Sequence, residues 1–233
     1  PLRRFSSVIE PSNLHNFVPP DVMSKMSPYM RENLLPFQRD GILFAVRRGG
    51  KALIADEMGL GKTCQGLGVA YYFREEWPLL IVCPSSMRFV WKSEIEKFLG
   101  TDVFEQSLII SVIANSKTSM TGADVVIISY DLLSRRKQEL EKIHFQCIIA
   151  DESHYIKNHA ALRTKVLLPV LKCARRSILL TGTPALARPI ELFTQAHALQ
   201  PTIFKNRHSF AQRYCDRKQG PFGVDDTGAS CLT

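Results

Sequence analysis

Long apolar runs are missing. No stretch of the 233 residues approaches the ~20 that cross a bilayer as a helix, so no membrane partner is expected. A secretory leader is missing too, because Pro1-Leu2-Arg3-Arg4-Phe5 runs into polar sequence and not into an apolar core. The first residue is not Met, so the chain is expected to be a piece of a longer protein. Paired cysteines are absent. The six stand apart at 64, 83, 147, 173, 215 and 231, with no Cys-x-x-Cys and no Cys/His group at zinc spacing. That excludes a structural zinc module and reads as a reducing compartment. Internal repeats and low-complexity tracts are absent as well.

What is present is ordinary in bulk and unusual in charge. Hydrophobic residues make up 45% and charged residues 22%, as in a soluble globular domain. The net charge is +8. Such a balance fits an acidic partner, most often nucleic acid, and equally a solvated basic surface.

Residues 1–33 carry Pro11, Pro19, Pro20 and Pro28 after the leading Pro1, without sustained periodicity, and read as an irregular lead-in, with a short helix near 22–30. From residue 34 helices and strands alternate. Helices are expected at 34–48, 61–77, 87–99 and 160–173. Buried strands are expected at 52–55, 79–83, 108–113, 125–129, 147–150 and 177–180. Short apolar runs separated by helices predict an α/β lobe: a mostly parallel sheet with helices on both faces, spanning 34–233.

Asp56-Glu57-Met58-Gly59-Leu60-Gly61-Lys62-Thr63 lies between a strand and a helix, at the carboxyl end of the strand. It fits the phosphate-loop pattern G-x-x-x-x-G-K-S/T except that Asp56 stands at the first glycine. Gly59 and Gly61 let successive N–H groups converge on an anion at a helix N-terminus. Lys62 would reach the β- and γ-phosphates of ATP, and the Thr63 hydroxyl would hold Mg²⁺. A chance glycine turn before a helix is the plainer alternative.

The strand ending in Asp151-Glu152-Ser153-His154 has the form of a Walker B site. Asp151 would hold Mg²⁺, and Glu152 would orient and deprotonate the attacking water. An acidic helix N-terminus is the structural alternative. His154 would bridge to Thr181-Gly182-Thr183 as a γ-phosphate sensor, or else be a packed histidine.

With these segments in place, the sequence resembles superfamily-two helicases, in particular Swi/Snf-type DNA translocases with a RecA-like ATP-binding lobe. Five segments carry the resemblance in order. They are Leu35-Pro36-Phe37-Gln38, residues 56–63, Pro84-Ser85-Ser86 through Trp91, Asp151-Glu152-Ser153-His154 and Leu180-Thr181-Gly182-Thr183-Pro184. Glu76-Trp77-Pro78, Ala185-Leu186-Ala187-Arg188-Pro189 and Arg213-Tyr214-Cys215-Asp216 are similar to the annealing-helicase (HepA-related) branch.

The resemblance implies DNA-dependent ATP hydrolysis used on forked or junction DNA at stalled replication forks, replication-fork protein partners, and a nuclear location. It implies that Gln38 contacts adenine. It also implies DNA backbone contacts from Ser85, Ser86 and Arg88, and from Ser129 and Tyr130. Lys157 and Arg135-Arg136-Lys137 are weaker candidates. Phe89 and Trp91 sit two apart on a helix, so only one can face the core squarely. A second RecA-like lobe with its arginine finger is expected outside this chain, so ATP turnover by this piece alone is expected to be poor. Two other readings remain: a DEAH-type RNA helicase lobe, with which Thr181-Gly182-Thr183 disagrees, and a DNA-binding module without catalysis.

Overall fold

The computed structural model describes residues 21–100, 108–183, 188–220 and 223–229, with backbone only from 216 onward. The expected lead-in is not irregular over its described part. A 3-10 turn at Val22–Lys25 leads into α1, Pro28–Asn33. Ser27 caps α1 by accepting from the Met30 N–H, and its own hydroxyl donates to the Phe98 carbonyl at 2.6 Å. Val22, Met26 and Met30 are buried in the main core. Their apolar spacing is too short to register as periodic, but it packs residues 22–33 onto the lobe. Residues 1–20 lie outside the described part.

Helix α2 (Pro36–Arg47) is followed by strand β1 (Lys51–Ile54), helix α3 (Lys62–Tyr72) and strand β2 (Leu79–Cys83). Helix α4 (Arg88–Leu99), strands β3 (Ile110–Val112) and β4 (Val125–Ser129), and short helices α5 (Tyr130–Arg135) and α6 (Lys137–Lys142) come next. Strand β5 (Cys147–Ala150), helix α7 (Leu162–Cys173) and strand β6 (Arg176–Leu180) complete a six-stranded sheet. Its order is β1-β6-β5-β2-β4-β3, and every pairing is parallel.

Alternation along each strand feeds two cores. Leu79, Ile81, Ile127, Ile149 and Ile178 face α1 to α4. Leu80, Val82, Ile128, Ile148 and Leu179 face α5 to α8, where α8 is Phe193–Leu199. This double burial is why the strands read as unbroken apolar runs. The helix expected over 61–77 ends at Tyr72. A separate 3-10 turn at Arg74–Glu76 follows, held by Arg176, which donates to both Glu76 oxygens at 3.0 and 2.7 Å. Helix α9 (Arg207–Tyr214) and an antiparallel pair, β7 (Cys215–Gly220) with β8 (Gly223–Ala229), were not expected from the sequence. Their runs are polar and carry no period.

Candidate nucleotide-binding site

Parallel pairing lines up the carboxyl ends of β1, β6, β5 and β2, and the expected chemistry collects there. Loop 55–61 leaves β1 and enters α3. Gly59 and Gly61 take left-handed φ values of +82° and +75°. Asp56 is not among the described residues with positive φ, so the missing first glycine is not needed for the turn. The Asp56 carboxylate instead accepts a hydrogen bond from Gln65 Nε2 at 2.7 Å, tying the loop to the second turn of α3. The Lys62 ammonium donates to the carbonyls of Asp56 and Glu57 at 2.8 and 2.9 Å. Gln38 bridges α2 to the loop: its Oε1 accepts from the Leu35 N–H at 3.0 Å and its Nε2 donates to the Leu60 carbonyl at 3.1 Å.

Asp151 and Glu152 close β5 beside this loop. Glu152 has φ +48° and ψ +52°, left-handed for a residue with a Cβ. Such a conformation costs on the order of 1–2 kcal/mol and gathers at functional sites. Asp151 is buried. Its Oδ2 accepts from Trp91 Nε1 and its Oδ1 from the Glu152 N–H, both at 2.9 Å. Burial pushes its pKa above the usual carboxylate value, the Trp91 N–H pulls it back, and the Glu152 charge adds to the rise. A divalent cation there would reverse the push.

His154 Nδ1 stands 3.1 Å from Glu152 Oε2, 3.2 Å from Thr181 Oγ1 and 3.5 Å from Thr183 Oγ1. The end of β5 and the segment after β6 are thus in contact. Gly182 lies against the loop: a Cβ there would come within 3.0 Å of Met58 Cγ and 3.6 Å of Lys62 Nζ. Lys62, Thr63, Asp151, Glu152, Gln38, Met58, Gly59 and Gly61 line one open cleft of about 600 Å³, together with Asn33, Glu94 and Phe98.

The donor set suits Mg²⁺ on phosphate. Asp151 and the Thr63 hydroxyl line the cleft, with Glu152 and Glu94 as further carboxylates, and no group of three or more His, Cys, Asp or Glu able to hold a metal occurs among the described residues. Mg²⁺ is commonly held this way, by one or two carboxylates plus the substrate's own phosphates.

The expected DNA residues divide. Ser85 and Ser86 are exposed on a 3-10 turn at the end of β2. Arg88 is half-buried and donates to the carbonyls of Ser85 and Ile113. Ser129 and Tyr130 are corrected as contact side chains. Both are buried, Ser129 capping α5 at the Leu132 N–H and Tyr130 donating to the Asp151 carbonyl at 2.7 Å. The small hydroxyl and the long phenol satisfy inward partners, so neither side chain reaches the surface. Lys157 pairs with Glu191, and Arg136 with Glu139. Trp91 is the core residue of its pair, while Phe89 is 62% exposed. Two functional contacts had no sequence signal: the Trp91 bond to Asp151 and the Gln65 bond to Asp56 join residues 60 and 9 apart.

Residues 14–222 match the model of the SNF2-related domain. The chain belongs to the SNF2-related family. A Xenopus tropicalis relative, SWI/SNF-related matrix-associated actin-dependent regulator of chromatin subfamily A-like protein 1, is 45% identical over 92% of this chain. The human DNA annealing helicase and endonuclease ZRANB3 is 46% identical over 96% of it. The chain spans about a fifth of the length of these relatives, 22% and 21%. Among solved structures, the Sulfolobus solfataricus SWI2/SNF2 ATPase core in complex with dsDNA matches with a TM-score of 0.64. The identity is 27%, over 78% of this chain and 39% of that one. The lobe is therefore RecA-like, in keeping with its six parallel strands.

Proposed function

We propose that this chain is the ATP-binding lobe of a DNA-dependent ATPase that moves along and reanneals or remodels branched DNA at stalled replication forks in the nucleus. The observation that carries the reading is the meeting of Lys62 and Asp151-Glu152 around one cleft, with Thr181-Gly182-Thr183 packed behind them against Met58, Lys62 and His154. Family membership and relatives named as annealing helicases support the choice of activity.

In this reading the loop amides and Lys62 hold the β- and γ-phosphates. Asp151 and Thr63 would hold Mg²⁺, which neutralises charge on the transferred phosphoryl group. Glu152 orients the attacking water and takes its proton, and His154 passes the state of Glu152 to Thr181 and Thr183. Ser85, Ser86 and Arg88 hold the DNA backbone from the end of β2, and Gln38 meets adenine. Replication-fork proteins are its expected partners.

Lys62 is the only cation among the described residues lining the cleft. An arginine finger contributes about 10³–10⁵ in rate in such enzymes, so this lobe alone binds ATP and turns it over slowly. A neighbour solved with dsDNA and relatives acting on DNA favour DNA over RNA. The strained Glu152 and the intact Lys62 and Asp151 argue against a module without catalysis.

The test is ATP hydrolysis by the full-length protein with forked DNA, duplex DNA, single strands and RNA. Forked DNA should stimulate most, and Lys62→Ala should abolish the rate. Equal stimulation by RNA, or fork restoration that survives Lys62→Ala, would overturn the proposal.

A further inference from the structure

Asp151 is held at every polar atom. Its N–H donates to the Val82 carbonyl at 2.8 Å, its carbonyl accepts from the Tyr130 hydroxyl at 2.7 Å, and its two carboxylate oxygens accept from Trp91 and from the Glu152 N–H. The Trp91 bond is the one among these that a side chain donates to the carboxylate itself. It comes from α4 and from a fully buried side chain. An indole has one donor and no acceptor, so this contact has one possible sense. A carboxylate offers about four lone-pair sites. With one on each oxygen occupied, the others remain for the cleft that Asp151 lines.

We propose that Trp91 is a positioning residue for Mg²⁺: its indole N–H fixes the Asp151 carboxylate in the orientation that presents the remaining lone pairs to nucleotide-bound metal. The inference rests on the nucleotide reading above. Partners in a shell behind a metal ligand set its orientation, and losing one commonly costs about 10- to 100-fold in metal affinity or activity. Trp91 lies one helical turn beyond Arg88 on α4, so the exposed turn at Ser85–Met87 and the Asp151 carboxylate are joined through a single turn of rigid helix.

Trp91→Phe keeps an aromatic ring in the core and removes the donor together with part of the indole's volume. A fluorescent ATP analogue is titrated into the chain, first with EDTA and then over rising Mg²⁺. The expected result is unchanged affinity in EDTA and an Mg²⁺ half-saturation raised about 10- to 100-fold. An Asp151→Asn background should remove that effect. A lowered melting temperature with an unchanged Mg²⁺ requirement would mean packing alone and would overturn the proposal.

Should Trp91→Phe not fold, Trp77→Phe leaves Trp91 as the one remaining tryptophan of the two in the chain. Its emission should then change when Mg²⁺ is added to the ATP-loaded protein, and not with ATP in EDTA. No Mg²⁺-dependent change would overturn the proposal. Failure of the unsubstituted chain to bind the analogue would overturn the nucleotide reading and this inference with it. Normal binding with an indifferent Trp91→Phe would overturn this inference alone.

Discussion

Gly61 stands at φ +75°, and a Cβ there would come within 2.4 Å of Gln38 Nε2. Gly61→Ala therefore meets two costs at once. The left-handed backbone costs about 1–2 kcal/mol for a residue with a Cβ, and the Gln38 bridge to the Leu60 carbonyl must move. Nucleotide affinity should fall at least about tenfold, since 1.4 kcal/mol is one decade, with a smaller loss of melting temperature. An Ala variant with unaltered affinity would show that this turn does not hold phosphate.

The thiols give a second test at the residue scale. Burial pushes Cys64 up to about 11 and Cys83 up to about 12, and raises Cys147 further. Only the thiolate reacts, so at mildly alkaline pH these three should resist alkylation while exposed Cys173 labels before them. Peptide mapping after brief labelling checks this, and early modification of Cys83 would contradict the closed core. At this scale the sequence was legible in which residues meet: Lys62, Asp151 and the two glycines come to one cleft. It was silent where a side chain reaches across the fold. Tyr130 read as a DNA contact from the family resemblance of the segment after β4, and only the three-dimensional neighbour, the Asp151 carbonyl, explains its burial.

Among elements, the approach of α2 to α3 governs the loop. Gly41 faces Gln65, and a Cβ at 41 would lie 1.9 Å from Gln65 Oε1. The same Gln65 side chain holds Asp56. Gly41→Ala should thus displace the flexible Gln65 amide and weaken nucleotide binding, while the helix propensity gained inside α2, about 1 kcal/mol, offsets the disturbed contact in stability. Chemical denaturation and a nucleotide titration, run together, check both effects. Full binding by the variant would detach Asp56 from the site's function.

The central strands were legible as elements because β2, β4 and β5 are buried at every residue, and β2 and β5 contain no polar residue. The end of α3 was not. Arg74-Glu75-Glu76 holds no helix breaker before Pro78, and only the Arg176–Glu76 pair, formed across 100 residues, marks the separate turn. The strands β7 and β8 were illegible because neither run alternates, and Gly220 and Gly223 give no apolar frame around them.

For the whole molecule, a net charge of +8 and an exposed Ser85-Ser86 turn describe a surface for phosphate and not for base edges. DNA binding by the chain should weaken steeply with salt and differ little among duplexes of equal length. A strong sequence preference that salt does not touch would contradict this. The central claim, however, is that the cleft between β1 and β5 is built for Mg²⁺–ATP. Calorimetric titration of ATP with Mg²⁺ into the chain and into its Lys62→Ala variant tests it most directly. Lys62 supplies a charge-assisted contact of about 1.5–3 kcal/mol. The account predicts saturable one-site binding that weakens at least about tenfold in the variant. Identical heats and affinity in both proteins would contradict it.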